Sequence, residues 1–575
     1  MRNDDVIRII NAIGDMLEIK GENRFRVNAY RDAARHLEGL TEDLNVLASE
    51  GRLQSIPGVG DAISTKIQEL LDTGHLAYYD RLAAEIPVTL LDLLQIPGLG
   101  PRKVKLLHES LQVTSVAELR TAIATGRVAT LPGMGEKTVQ NIQRELERWV
   151  QRGKRTPLGT ALPLVLEIIA ALQEGCPVVQ RISEAGSVRR RRDTIGDLDL
   201  LAASDRPTEV LEAFVHLPLV QEVIAHGDTK AAILAPRQQQ VDLRVVPPES
   251  WGAALLYFTG SKAHNVRLRE IAIKKGWTLN EYRLFDATGQ TQLAAGEEED
   301  VYRALGLPWI PPEIREDSGE IEAGFAGKLP KLVELGDIRG DLHSHSDWSD
   351  GQATIEQMWE AARARGYEYL VLTDHTQSLG VTNGLNAERL TQQRELVRAI
   401  NRRGDGPCLL HGVELEIRAD GTLDFPDEVL AELDLVVASV HSSFGQTREK
   451  MTSRLIAAAS NPHVDVIGHP SGRLIGRREG YDVDLEALIQ VCAERGTALE
   501  INANPARLDL DDVHARRAVE QGCWLAIDSD AHEPSNFDLL PYGIATARRA
   551  WVGPSRVLNC LPLSDLLAHL RRRGG

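Results

Sequence analysis

Two acids one residue apart, Asp197 and Asp199, sit in the apolar run IGDLDLL, and a third, Asp242, interrupts a second such run, QQVDLRVV. Side chains alternate along a strand, so Asp197 and Asp199 face the same way. If the two strands are neighbours, Asp242 completes a triad. Three clustered carboxylates repel one another unless divalent cations share them. Two Mg2+ ions held this way suit in-line phosphoryl displacement, activating an attacking hydroxyl and neutralising the charge that develops. Upstream, EAGSVRRRR supplies Gly186, which lets the backbone approach a triphosphate, and Ser187 and Arg190, which can donate to its oxygens. The chemistry this predicts is nucleotidyl transfer.

A second constellation lies after residue 337. GDLHSHSDWSDG puts His343 and His345 on one face of a strand, with Asp350 in the following turn. Five further apolar runs end on a ligand type: EYLVLTDH at His375, CLLHGVE at Glu414, DLVVASVH at His441, VDVIGH at His469, and CWLAIDSDAH at Asp530 and His532. Helix-like segments such as IEQMWEAARARG and LEALIQVCAERG separate them. Strands alternating with helices imply a parallel barrel, whose strand C-termini gather catalytic groups. Nitrogen and oxygen ligands suit Mn2+, Zn2+ or Fe2+. Arg473, shortly after His469, reads equally as a phosphate contact or a surface arginine; His411, His463 and His514 read as structural.

The elements that must present these groups include a repeat. IPGVGDAISTKI from Ile56, IPGLGPRKVKLL from Ile96 and LPGMGEKTVQNI from Leu131 each set Gly-x-Gly before a helical pattern. The pairs Gly58 and Gly60, Gly98 and Gly100, and Gly133 and Gly135 can expose backbone amides at a helix N-terminus, which attract anions. The net charge of -18 argues against a nucleic-acid partner. Its distribution reverses that: over residues 101–192 basic side chains outnumber acidic ones about two to one. At 575 residues several domains are expected. The first twenty residues read as an amphipathic helix rather than a signal peptide, and no stretch reads as long and apolar enough to cross a bilayer. Five scattered cysteines fit a reducing cytoplasm.

The PGxG turns resemble the helix-hairpin-helix element, which grips DNA backbone. FRVNAYRDAARHL with Lys66 resembles the N-terminal domain of family X DNA polymerases. Lys66 aligns with a Schiff-base lysine that gives some relatives deoxyribose-phosphate lyase activity, but Ala62 replaces a second lysine, and Lys66 reads also as a phosphate contact. HGDTKAAIL, YFTGSKAHN and LNEYRLF match family X as well. By that resemblance Tyr257, Phe258 and Gly260 lie against the nucleotide sugar, Asn265 reaches the base, and Arg269 sits near the templating base. Lys262 stands where vertebrate relatives carry an acid, and is counted among the nucleotide contacts. Gln240 stands where they carry arginine. HSH, TDH and SDAH are similar to the motifs of the polymerase-and-histidinol-phosphatase (PHP) domain, a distorted barrel binding three metals. All nine ligand positions are filled: His343, His345, Asp350, His375, Glu414, His441, His469, Asp530 and His532.

The expected chain is a multi-domain bacterial or archaeal family X polymerase. Helical helix-hairpin-helix domains span 1–85 and 86–150, an α+β nucleotidyltransferase palm 151–255 and thumb 256–318, a linker 319–336, and the PHP (β/α) barrel 337–575. The expected function is template-directed filling of short gaps with dNTPs, joined to a 3′→5′ exonuclease; abasic-site endonuclease and 3′-phosphatase stay open. The implied cofactors are Mg2+ at the acids and Mn2+ or Zn2+ at the histidines, in a cytoplasmic monomer working on gapped or nicked DNA. Two alternatives stand beside it: a phosphatase for small phosphomonoesters fused to a DNA-binding nucleotidyltransferase, or a DNA-end scaffold.

Overall fold

The computed structural model describes residues 3–38, 44–56, 58–94, 96, 98–152, 155–286, 291–379 and 382–571. Two compact units result, Met1–Lys154 and Arg155–Gly575.

The first unit is helical. Along α1 (Asn3–Lys20), Val6, Ile10, Ile13 and Leu17 recur at helical spacing and are buried. They share a core with Val27, Tyr30, Ala34 and Leu37 of α2 (Arg24–Glu38). Each PGxG turn precedes a helix: α3 (Asp61–Thr73), α4 (Pro101–Leu111) and α5 (Glu136–Arg152). The first glycine of each turn is left-handed, with φ of 77° at Gly58, 88° at Gly98 and 74° at Gly133. Only glycine adopts that conformation without steric cost, so the repeat is a backbone requirement.

The second unit opens with α6 (Leu158–Gly175), which corrects one expectation from sequence. By length and composition it is apolar enough to cross a membrane, the one such helix among the described residues. Here Leu158, Ala161, Val165, Ile168 and Leu172 pack in the core of a five-stranded sheet. Its strands are β1 (Arg181–Glu184), β2 (Leu198–Ala203), β3 (Glu222–His226), β4 (Lys230–Ala235) and β5 (Gln239–Val246), in the order β1-β2-β5-β4-β3. β2 and β5 are parallel neighbours, and Asp199 pairs with Asp242. Next come α7 (Trp251–Thr259), α8 (Lys262–Lys274), a small antiparallel sheet of β6 (Trp277–Leu279), β7 (Leu284–Asp286) and β8 (Gln292–Ala294), and α9 (Glu298–Leu305).

Seven parallel strands in sequence order follow: β9 (Gly340–Asp341), β10 (Tyr369–Leu372), β11 (Cys408–Glu416), β12 (Leu435–Ser439), β13 (Val466–Ile467), β14 (Ala498–Asn502) and β15 (Leu525–Asp528). Every residue of YLVL and LVVAS is buried, as expected when both faces of a parallel sheet are covered. A parallel bridge between Ser344 and Ala531 brings the last strand back to the first, nearly closing the barrel. The helix Ile355–Ala364 starts on a capping box between Thr354 and Gln357. A later helix, α10 (Leu540–Arg549), packs against β14 and β15.

Candidate active sites

The carboxylate site is built on β2 and β5. Val241, Leu243 and Val245 point into the core, leaving Asp242 on the opposite face beside Asp199, with Asp197 just ahead of the strand. Burial, then the charges of Asp242 and Asp197, push the Asp199 carboxyl up to about 6. Lys230 Nζ lies 2.5 Å from Asp242 Oδ2, and the Gln240 amide donates to its Oδ1 at 2.9 Å. Gly186 adopts φ +56°, and a Cβ there would fall 2.1 Å from Asp199 Oδ2. A side chain at 186 would therefore displace an acid of the triad.

Around this centre, Arg190 Nη1 donates to the Thr259 carbonyl at 2.5 Å, against Gly260. Ser187 is half-buried beside it. Tyr257 and Phe258 meet edge-to-face at 5.1 Å, and Asn265 donates to the Tyr257 carbonyl at 2.7 Å while its buried Oδ1 makes no hydrogen bond. Lys262, Asn265 and Arg269 recur at helical spacing on α8 and share a face, with Lys262 exposed.

The groups that hold these residues carry no local sequence signal. Glu298, buried, accepts from both ends of Arg189 at 2.8 Å and from Arg315 at 2.6 and 3.2 Å, and from the Trp309 indole at 3.2 Å. Burial opposes its charge, but Arg315 and Arg189 hold its carboxyl far below the usual range. These partners lie more than a hundred residues from the loop they brace, beyond any local pattern.

The histidine site lies at the C-terminal ends of the barrel strands. Three groups of side chains can each converge on one ion: His345, Asp350, His375 and His532; His343, His345 and Asp530; His375, Glu414 and His441. His469 is 3.0 Å from Glu414 through Nε2. Burial and the neighbouring His532 hold His345 down to about 4, and burial with the Arg507 charge holds His469 to about 3. For His441 and His532 burial works against the charge, but Glu414 with Glu416, and Asp350 with Asp530, raise them to about 9. Both nitrogens of His345 and Nε2 of His343 are buried without a hydrogen bond, facing carboxylates 3.2–3.8 Å away. Unsatisfied buried imidazole nitrogens beside acids fit metal ligation.

Outer partners orient the rings. Glu500 accepts from His343 Nδ1 at 2.7 Å and from the His469 backbone N–H at 2.5 Å; Glu416 pairs with His441 Nδ1 at 2.9 Å. The Asn502 amide donates to Asp530 at 3.0 Å. A signal for them existed: ALEIN is one more apolar run ending on polar residues, and Glu416 follows Glu414 by one strand period. Arg473 is half-buried rather than a surface arginine. Its guanidinium is taken by the carbonyls of Arg507 and Leu508 and by Asp193 at 3.2 Å. His411 hydrogen-bonds Gln393 within the structure.

In the first unit the PGxG turns face open space: a Cβ at Gly60, Gly98, Gly100, Gly133 or Gly135 would meet nothing within 4 Å. Lys66 donates to the Ala62 carbonyl at 2.8 Å and lies 5.0 Å from the Tyr78 ring centre. Burial, then the Arg26 charge, lower its pKa.

Known families match this arrangement in sections. Residues 1–76 match a helix-hairpin-helix domain, 90–148 a SAM-like helix-hairpin-helix tandem, 254–316 the DNA polymerase beta thumb and 341–504 the PHP domain. The DNA polymerase/3′-5′ exonuclease PolX of Bacillus subtilis is 42% identical over 575 residues, covering 100% of both chains. The chain belongs to the PolX family. Rat DNA polymerase lambda is 26% identical over 296 residues, 46% of this chain and 48% of that one. A probable phosphatase of Thermoanaerobacter is 29% identical over 231 residues, 38% of this chain and 89% of its own. Among these three relatives, PolX alone spans both sites.

Proposed function

We propose that this chain is a template-directed DNA polymerase that fills short gaps in DNA repair and carries a metal-dependent 3′→5′ exonuclease in its PHP domain. One observation supports this most: two independent ligand sets, each complete, in a chain that aligns end to end with a polymerase/exonuclease. That alignment favours one DNA substrate for both sites over a separate small phosphomonoester. Intact ligands at both sites disfavour a scaffold.

At the first site Asp197, Asp199 and Asp242 would hold Mg2+; at the second the nine His, Asp and Glu residues would hold Mn2+ or Zn2+. Bound there, such ions polarise a phosphate and the oxygen that attacks it. The chain's own residues do the rest. Gly186, Ser187 and Arg190 receive the dNTP triphosphate, with Lys262 adding positive charge. Tyr257, Phe258 and Gly260 crowd the sugar against a 2′-hydroxyl, Asn265 reads the base edge, and Arg269 supports the templating base. The primer 3′-hydroxyl forms its bond to the α-phosphorus as pyrophosphate leaves. The three glycine pairs of the PGxG turns hold the DNA backbone through amides without reading sequence. Lys66, with a lowered pKa beside Tyr78 and Arg26, supports a second reading for that unit, removal of a 5′-deoxyribose phosphate. We assign the domains the boundaries 1–85, 86–150, 151–255, 256–318 and 337–575, and place the protein as a monomer in the cytoplasm.

The test is a pair of variants on labelled gapped DNA. Asp197→Ala with Asp199→Ala lowers nucleotide addition by about 10³-fold or more, the loss of several kcal/mol of metal stabilisation, and spares 3′-end hydrolysis. His343→Ala does the reverse. If each variant loses both activities, the two-site reading is wrong.

A further inference from the structure

Arg190, read above as a triphosphate contact, is held by a residue of the barrel domain. Its Nε donates to Glu316 Oε1 at 3.0 Å. Arg549 of the barrel domain, at the C-terminal end of α10, donates to that same Glu316 oxygen. The Arg549 Nη1 reaches Glu316 Oε1 at 3.2 Å, the Glu313 carbonyl at 3.3 Å and the carbonyl of Arg190 itself at 3.0 Å. Its Nη2 donates to Asp512 Oδ2 at 2.6 Å. The Arg549 side chain is 5% exposed, so this cation has been withdrawn from water and depends on these acceptors.

We infer that Arg549 is a positioning residue for nucleotide binding: the PHP domain forms the back wall of the polymerase's triphosphate site and pins the Gly186–Arg192 loop. The inference rests on the reading of Arg190. Arg549 touches no substrate and acts in two ways, both of the same sign. Its bond to the Arg190 carbonyl fixes the loop backbone. Its charge on Glu316 shares a carboxylate that would otherwise be left to Arg190 at 3.0 Å and the more distant Arg192 at 3.9 Å. Without Arg549 the loop loses a tether, and Glu316 competes harder with the triphosphate for the Arg190 guanidinium. Asp197, Asp199 and Asp242 lie on or beside the sheet strands and keep their places. Binding weakens while chemistry after binding persists.

The experiment is single-nucleotide insertion on one-nucleotide-gapped DNA with the full-length protein, with 3′-end hydrolysis and a thermal melt as folding controls. Arg549→Ala raises KM for dNTP about five- to tenfold, the net worth of one ordinary hydrogen bond, with kcat within about twofold. Arg549→Lys, which keeps the charge but cannot serve all four acceptors, gives an intermediate KM. Arg190→Ala raises KM at least as much, and in Arg190→Ala with Arg549→Ala the two effects fall short of multiplying, because the part of Arg549's action that runs through Glu316 needs the Arg190 side chain. A lowered Tm with KM unchanged in both Arg549 variants, while Arg190→Ala raises KM, overturns the inference and leaves the reading of Arg190 standing. An unchanged KM in Arg190→Ala overturns that reading first. KM effects that multiply in full in the double variant also overturn the inference, since Arg549 would then act elsewhere.

Discussion

The two metal sites solve the same electrostatic problem by opposite means. At the carboxylate site three like charges meet on one sheet face, with Lys230 as a nearby cation and Asp197 open to solvent. Its order is imposed from outside the sheet by arginines anchored on the thumb and the barrel. At the histidine site carboxylates and imidazoles alternate, and the outer partners Glu500, Glu416 and Asn502 come from the strands that carry the inner ligands or from the next strand. One site is assembled by long-range braces, the other is integral to its barrel. The carboxylate site should therefore fail by small displacements and by loss of distant partners, and the histidine site by loss of ligands or their immediate supports.

The largest effect on that contrast is Gly186→Ala. The added methyl meets Asp199 Oδ2 at 2.1 Å, and φ of +56° costs a further ~1 kcal/mol for a residue with a Cβ. Misplacing a reacting group by an ångström can cost ~10²-fold, so nucleotide insertion falls roughly 10²- to 10³-fold. Hydrolysis at the 3′ end, measured on the same preparation, stays at the wild-type rate. Equal loss of both would show that the sites are not separately built.

Next is Glu298→Gln, which leaves two arginines on a neutral amide in a buried setting. Breaking such a network costs about 3 kcal/mol, read as a lower Tm of the thumb-bearing unit and slower insertion. The sign with pH follows from its depressed pKa. The stabilisation is complete above its ordinary value of 4.5 and is lost as pH falls below it. The stability gap between the wild type and Glu298→Gln, measured by denaturant titration, thus narrows on acidification and is constant from pH 6 to 8. A gap that widens in acid would mean that Glu298 is not held ionised.

How much of each site was legible follows from the same contrast. His343, His375, Glu414, His441, His469 and Asp530 could be found because each ends or follows an apolar run, and a parallel barrel turns strand ends into one surface. Asp197, Asp199 and Asp242 were legible as strand acids, but their adjacency needed the parallel pairing of β2 with β5, which sequence leaves open. Glu298, Arg315, Glu316 and Arg549 were invisible: buried charges are paired by tertiary contact, and nothing local distinguishes Glu298 from its exposed neighbours Glu297 and Glu299. The apolarity of α6 was missed altogether: a helix packed on a sheet can be apolar enough for a bilayer.

On the histidine side, Glu500→Gln keeps the shape but removes the charge behind His343 and the His469 backbone. Outer-shell partners of this kind are worth ~10- to 100-fold in metal affinity or activity. Metal retained after dialysis falls accordingly, and exonuclease activity returns at high added Mn2+. Insertion is unaffected. Activity that added metal does not restore would place Glu500 in contact with substrate.

The smallest effect falls on Lys230, the cation beside Asp242. Lys230 is 46% exposed and Asp242 16%, so their ion pair is worth at most about 1 kcal/mol. A cation bound at Asp242 would compete with that ammonium, whereas His343 and His345 would hold a metal through nitrogens that make no hydrogen bond. Lys230→Met therefore lowers the half-saturating Mg2+ concentration for insertion by about fivefold or less, with kcat at saturating Mg2+ unchanged. A fall in kcat at saturation would instead give Lys230 a contact with the incoming nucleotide.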